Sequence, residues 1–157
     1  MRKIICLLCF CILLFNSCIG GLGFVLKKPL FGNYYLIITD AVDDCCLSHH
    51  KKTDGDNWGE VIGPTVFAVG FNSHYLIAKQ YYHPFYDTDT PLSSSYSTYE
   101  VIRPDKNNIR YYILPIKEDM NWRTLNGLLG PLSYDDFEAK RRELGISDIE
   151  FSVEIDI

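Results

Sequence analysis

The order of apolar and polar residues predicts β-strands along most of the chain after residue 29. The segment "NYYLIIT" (33–39) is rich in Tyr and Ile, which favours a buried strand. In "TVFAVGFNSHYLIAKQYY" (65–82), two apolar runs flank the residues 72–74, a pattern typical of a β-hairpin because Asn tolerates the positive φ of tight turns. The segment "TYEVIRPDKNNIRYYILPI" (98–116) predicts a second hairpin that turns at 104–108.

The period of the apolar residues changes near the C-terminus. In "GPLSYDDFEAKRRELGI" (130–146), Ser133 is suited to cap a helix and Gly145 to end it in the left-handed conformation. One side of this helix is apolar and comprises Tyr134, Phe137 and Leu144. The alternation in "IEFSVEIDI" (149–157) predicts a last strand or a fraying tail. The sequence therefore predicts an α+β fold, an antiparallel sheet of four to six strands with one C-terminal helix packed on it.

The first residues have the pattern of a secretory signal. Arg2 and Lys3 precede the uncharged apolar run Ile4–Phe15. This run is shorter than the ~20 apolar residues that a membrane-spanning helix needs. Because no charge appears before Lys27, an uncleaved membrane helix over Ile4–Leu26 is an alternative, and plain secretion is another.

Cys18 favours lipidation among these three possibilities. It directly follows the apolar run, with Ser17 before it and Ile19-Gly20 after it. This arrangement resembles the lipobox of bacterial lipoproteins, where signal peptidase II cuts before a cysteine that carries a diacylglyceryl group. Phe15 and Asn16 depart from the strict pattern, so the two alternatives stay open.

This interpretation divides the chain into three parts. Residues 1–17 form a lipoprotein signal peptide, residues 18–28 a lipidated tether and residues 29–157 a single globular domain. The acyl chains on Cys18 attach the protein to a membrane of the bacterial envelope, outside the cytoplasm, since two or more acyl chains give stable attachment.

Charge and cysteine content narrow the possible functions. After removal of the leader, 13 basic residues stand against 20 acidic ones without a basic cluster, which disfavours nucleic-acid binding. Of six cysteines, only the adjacent Cys45 and Cys46 remain once the leader is cut and Cys18 is lipidated. They provide no disulfide framework. If both are ordinary strand residues, their joint replacement by Ser leaves folding nearly unchanged.

Three segments resemble a known family. "FNSHYLIAKQYYHP", "IRYYILPI" and "GPLSYDDFEAKRRELGI", in this order, are similar to small bacterial lipoproteins classed as a domain of unknown function, over roughly residues 30–146. The resemblance implies a lipoprotein of the cell envelope and carries no catalytic role.

The densest group of chemically active side chains is "DDCCLSHH" (43–50). Thiolates and imidazoles suit zinc or copper. On a strand, Cys45, Leu47 and His49 share one face, so a metal site needs further ligands such as His74 or His83. We expect a strand that leads into a polar loop and no cofactor. An envelope enzyme or a metal-binding protein that uses the Cys45/His49 region is the alternative function.

Catalytic patterns are weak elsewhere, and the main expectation is non-catalytic binding of an unknown protein or envelope ligand. The chain lacks a Gly-x-Ser-x-Gly elbow, and turns and helix caps account for its carboxylate pairs. The aromatic segment 81–99 is the candidate binding surface, because aromatic residues with a polar group are enriched at interfaces. Its candidate residues are Tyr81, Tyr82, His83, Phe85, Tyr86, Tyr96 and Tyr99.

Overall fold

The computed structural model describes residues 26–52, 58–84, 86, 103–117 and 126–157. The predicted signal peptide and Cys18 lie outside these residues. Within the described ranges, no helix is long and apolar enough to cross a membrane.

The first half of the domain forms a four-stranded antiparallel sheet, sheet A. Its strands are adjacent in chain order, so each pairs with the next. A short 3-10 turn at Val42–Asp44 separates the second strand from the third. The strands are β1 (Leu26–Pro29), β2 (Tyr34–Ile38), β3 (Cys46–His49) and β4 (Gly59–Ile62).

The second half forms a five-stranded antiparallel sheet, sheet B, and one long helix. The strand order is β8-β7-β6-β5-β9, so the chain returns after the helix to add its last strand beside β5. Helix α1 spans Tyr134–Leu144, between β8 and β9. The strands are β5 (Val66–Phe71), β6 (Tyr75–Tyr82), β7 (Asp105–Pro115), β8 (Leu129–Leu132) and β9 (Val153–Glu154).

Sheet B is the middle layer between sheet A and helix α1. Alternate residues of β6 point in opposite directions: Leu76 joins a core shared with sheet A, and Ile77 joins a second core with Phe137 of the helix. The α+β class with antiparallel strands and one C-terminal helix is confirmed. The strands form two sheets rather than the single sheet expected, and sheet B packs against sheet A on one face and helix α1 on the other.

The first predicted hairpin is confirmed. Strands β5 and β6 pair from Val66 with Gln80 to Phe71 with Leu76. The side-chain oxygen of Asn72 accepts hydrogen bonds from the backbone N–H of His74 at 2.8 Å and of Tyr75 at 2.9 Å. This Asx-type arrangement holds the turn that the sequence predicted.

The predicted turn of the second hairpin is wrong. Strand β7 runs through it from Asp105 to Pro115 and pairs with β6. Its ladder is irregular: Tyr81 lies opposite Ile109, and Tyr82 lies opposite Asp105. Residues 106–108 therefore form a bulge, and the polar, turn-forming residue types produce this irregularity instead of a chain reversal.

The predicted helix and its ends are confirmed. Ser133 Oγ accepts a hydrogen bond from the backbone N–H of Asp136 at 3.2 Å. Gly145 ends the helix with φ of 67°. Phe137 is 1% exposed, but Tyr134 is 59% exposed and lies outside the buried face.

Both ends of the predicted globular domain form strands. Strand β9 confirms a last strand within 149–157. Strand β1 begins at Leu26, so regular structure extends into the segment assigned to the tether, and its four residues are exposed.

Candidate binding surface

Four of the seven predicted binding residues can be placed. Tyr81 and Tyr82 end strand β6, and His83 and Tyr86 lie in the turn after it. Phe85, Tyr96 and Tyr99 lie outside the described residues.

Tyr81 belongs to a stack on the helix-facing side of sheet B. Its ring lies parallel to the ring of Phe67 on β5, with centroids 3.9 Å apart and planes 9° apart. Lys106 Nζ, from the bulge of β7, lies 5.8 Å from the Tyr81 ring centroid. Tyr81 and Phe67 therefore form a stacked aromatic pair with the Lys106 cation nearby.

Tyr82 makes a similar contact on the opposite face of the sheet. The guanidinium carbon of Arg110 lies 4.6 Å from its ring centroid, within cation–π distance. Lys106 and Arg110 both belong to β7, which pairs with β6 along this stretch. The sequence predicted a turn at 104–108, so pairing of this stretch with β6 and the two cation contacts were not expected.

The turn after β6 connects this end of sheet B to sheet A. The backbone N–H of Tyr86 donates to the carbonyl of His83 at 3.1 Å, and their rings lie 4.8 Å apart. The Tyr86 hydroxyl donates to Asp44 Oδ1 at 3.4 Å. Partial burial and then the Asp44 carboxylate raise the pKa of Tyr86. Tyr86 is 45% exposed.

Buried hydrogen bonds fix the position of the last residues of β6. Gln80 Nε2 donates to the carbonyl of Pro64 at 2.7 Å, and the Tyr112 hydroxyl donates to Gln80 Oε1 at 2.6 Å. Thr65, held at φ of 72°, donates from Oγ1 to the carbonyl of Tyr81 at 2.5 Å. The aromatic residues therefore extend from a strand end that these hydrogen bonds hold in place. No local sequence pattern indicated this network, because its partners are 16 or more residues apart.

The Cys45/His49 region lies inside the protein. Cys45, Leu47 and His49 share one face, as predicted, and all three are buried. Burial, reinforced by the neighbouring Cys46, raises the pKa of the Cys45 thiol to about 12. Cys46 lies on the other face, with its Sγ 3.3 Å from Ser48 Oγ.

The suggested additional metal ligands are far apart. His74 lies in the turn before β6, where its Nδ1 is 2.8 Å from Ser73 Oγ, and His83 follows the other end of that strand. Within the part of the chain that is described, no three His, Cys, Asp or Glu side chains lie close enough together to hold a metal ion.

A second aromatic group, which the sequence analysis missed, lies on sheet A. The rings of Trp58 and His50 stack with centroids 4.2 Å apart and planes 15° apart. The ring of Tyr35 contacts that of Trp58 edge-on, with centroids 5.1 Å apart. Lys27 Nζ lies 4.1 Å from the centroid of the Trp58 ring. Because these residues come from four different segments, only the tertiary structure brings them together.

Comparison with known proteins identifies a family and no activity. The model of DUF3997, a protein of unknown function, matches residues 31–156. No curated protein and no solved structure matches the chain. The predicted resemblance to a domain of unknown function is thereby confirmed, while the lipoprotein character stays a prediction. Since the match covers most of the chain, this protein belongs to the DUF3997 family of proteins of unknown function.

Proposed function

We propose that this protein is a lipid-anchored protein of the bacterial cell envelope that binds an envelope ligand or partner protein without catalysis. The N-terminal sequence supports the anchor: an apolar run after Arg2 and Lys3 leads directly to Ser17 and Cys18. Acyl chains on Cys18 would hold the domain at a membrane surface.

The aromatic and cationic end of sheet B is the observation that carries the binding role. Tyr81 and Tyr82 contact Lys106 and Arg110 on opposite faces of the sheet, and Tyr86, in the turn after β6, is 45% exposed. Aromatic and Arg side chains are enriched in binding interfaces because they combine a large apolar area with polar groups.

The environment of Cys45 argues against the alternative function, an enzyme that uses the Cys45/His49 region. A nucleophilic cysteine needs a lowered pKa and access to substrate. Cys45 is fully buried, and its thiol pKa is raised to about 12. At neutral pH it is a protonated side chain of the core.

The anchor is tested by the mass of the N-terminus in protein purified from its native host. Lipidation predicts a chain that starts at Cys18 with added diacylglyceryl mass and stays with membranes after a high-salt wash, because salt does not screen apolar burial. Cys18→Ala should abolish that mass. An intact leader would support the uncleaved helix, and a cleaved, unmodified N-terminus would support plain secretion.

The binding surface is tested by photo-crosslinking in living cells. A photoreactive amino acid replaces Tyr86 in the full-length chain, and the matched control replaces Glu143, an exposed residue on helix α1. We expect a discrete adduct from position 86 that is absent at position 143. Identical patterns at the two positions would refute the proposed surface.

A further inference from the structure

A cleft open to solvent lies between strand β7 and the start of helix α1. Its volume is about 570 Å³, within the ~300–1,000 Å³ typical of small-molecule sites. Among the residues that line it are Asn107, Asn108, Arg110, Tyr111, Leu132 and Tyr134.

The bulge in β7 gives the cleft its polar wall. Residues 106–108 have no counterpart on β6, so they leave the regular ladder, and the backbone N–H of Asn107 is held by Asp105 Oδ1 at 3.0 Å. Asn107 and Asn108 are exposed. Each amide offers two donor hydrogens and an acceptor oxygen, the combination that pairs with hydroxyl groups. Bulges frequently re-aim side chains beside sites in this way.

Tyr134 gives the cleft an exposed aromatic wall. Tyr134 is 59% exposed, although its ring contacts the ring of Tyr111 with centroids 5.6 Å apart. A phenol ring has an apolar face and a polar hydroxyl. Such a ring beside amides suits a ligand that has apolar C–H faces and many hydroxyl groups.

The charges around the cleft disfavour an anionic ligand. The first turn of helix α1 contains Asp135 and Asp136, and Ser133 Oγ already accepts from the Asp136 N–H. Arg110, which lines the cleft, has its guanidinium over the ring of Tyr82. An uncharged ligand avoids repulsion by the two carboxylates.

We propose that this cleft binds an uncharged β-1,4-linked hexopyranose oligosaccharide, with a sugar ring against Tyr134 and hydroxyl groups bonded to Asn107 and Asn108. Such a chain is a flat ribbon with apolar C–H faces and hydroxyl edges, which matches an open cleft with one aromatic and one amide wall. This inference rests on the proposed binding role and names its ligand class, since Arg110 both lines the cleft and contacts Tyr82.

The test is isothermal titration of the full-length protein, in a detergent without a sugar headgroup, with chitotetraose and with cellotetraose. We expect saturable binding of at least one of the two. Tyr134→Ala should weaken it at least tenfold, Tyr134→Phe should stay within threefold of the wild type, and Glu143→Ala on the same helix should bind as the wild type does.

Absence of binding by both oligosaccharides would overturn the inference, as would unchanged affinity in Tyr134→Ala. The melting temperature of each variant separates loss of the site from loss of the fold. If neither sugar binds and the crosslink from position 86 is still formed, the ligand class is wrong and the binding role stands.

Discussion

At the scale of single residues, neighbours in the sequence have different environments. Cys45 is fully buried in the core shared by the two sheets, whereas Cys46 is partly exposed on the other side of β3. Strand alternation predicted opposite faces for the two, and the sequence predicted that their joint replacement by Ser leaves folding nearly unchanged. Because the two residues differ in burial, we expect replacement of each by Ser to change the stability by a different amount.

Cys45→Ser should lower the free energy of unfolding by about 1–3 kcal/mol, because it places a hydroxyl group in an apolar core. Cys46→Ser is the matched control and should change it by less than about 1 kcal/mol, since Cys46 already lies beside the Ser48 hydroxyl. Urea denaturation measures both. Equal losses in the two variants would contradict this assignment of faces.

At the scale of elements, the C-terminal segment completes the fold by packing on sheet B. Helix α1 places Phe137 against Tyr111 of β7, with ring centroids 4.9 Å apart. Arg141 then donates to the carbonyl of Ile149 at 2.6 Å, which ties the end of the helix to the segment before β9.

Phe137→Ala should destabilise the protein by about 3–5 kcal/mol, because it removes a large side chain from the core between helix and sheet. Tyr134→Ala, on the same helix, should cost less than about 1 kcal/mol, since its ring is mainly exposed. Thermal melting compares the two. An unchanged melting temperature in Phe137→Ala would mean that the helix is not docked.

Gly70 on β5 is required by the close approach of the segment before β9. A β-carbon at this position would overlap the carbonyl oxygen of Glu150 and lie 3.2 Å from Ile77 Cγ1. Gly70→Ala should therefore cost about 1–3 kcal/mol or more.

Gly63→Ala is the matched glycine control for that variant. Its β-carbon would lie 3.4 Å from the Glu60 carboxylate, an ordinary contact with a movable side chain, so we expect a change within about 1 kcal/mol. Chemical denaturation of both variants tests the packing. Equal stability of the two would show that the C-terminal segment does not lie on β5.

At the scale of the whole molecule, stability depends on keeping the core between the sheets uncharged. Burial raises the pKa of Cys45 from 9.0 to about 12, and that of Tyr34 from 10.0 to about 12. Both groups are therefore protonated in the folded protein at neutral pH. Among the described residues, the buried Tyr34 hydroxyl has no hydrogen-bond partner.

The free energy of unfolding should fall as the pH rises from about 9 to 12. The unfolded chain releases these protons near the ordinary pKa values, while the folded protein keeps them, so the stabilisation present below pH 9 is progressively lost. A fully titrating group contributes about 1.4 kcal/mol per pH unit.

Tyr34→Phe is the control for this pH dependence. The variant should be as stable as the wild type or slightly more stable at pH 7, because it removes a hydroxyl without a partner. Above pH 10 its free energy of unfolding should fall less steeply with pH than that of the wild type. Chemical denaturation across this range measures the slopes. Identical slopes in the variant and the wild type would contradict the assignment to Tyr34.

Several local features could be predicted from the sequence. The turn around Asn72 and the helix with its caps at Ser133 and Gly145 depend on residues close together in the chain, so their pattern was sufficient. The bulge at 106–108 could not be predicted, because the same polar residues favour a turn when no neighbouring strand is considered. The contacts of Lys106 and Arg110 with Tyr81 and Tyr82 follow from pairing between distant strands.

The sequence by itself determined the α+β class, most strands of the domain and the residue types of the candidate surface, because alternation and caps act over a few residues. The tertiary structure decided that the strands form two sheets, that sheet B is buried on both faces and that Cys45 and His49 lie in the core. It also placed Asn107, Asn108 and Tyr134 around one cleft. The physical reason is that burial and these contacts depend on which distant strands and helix pack together.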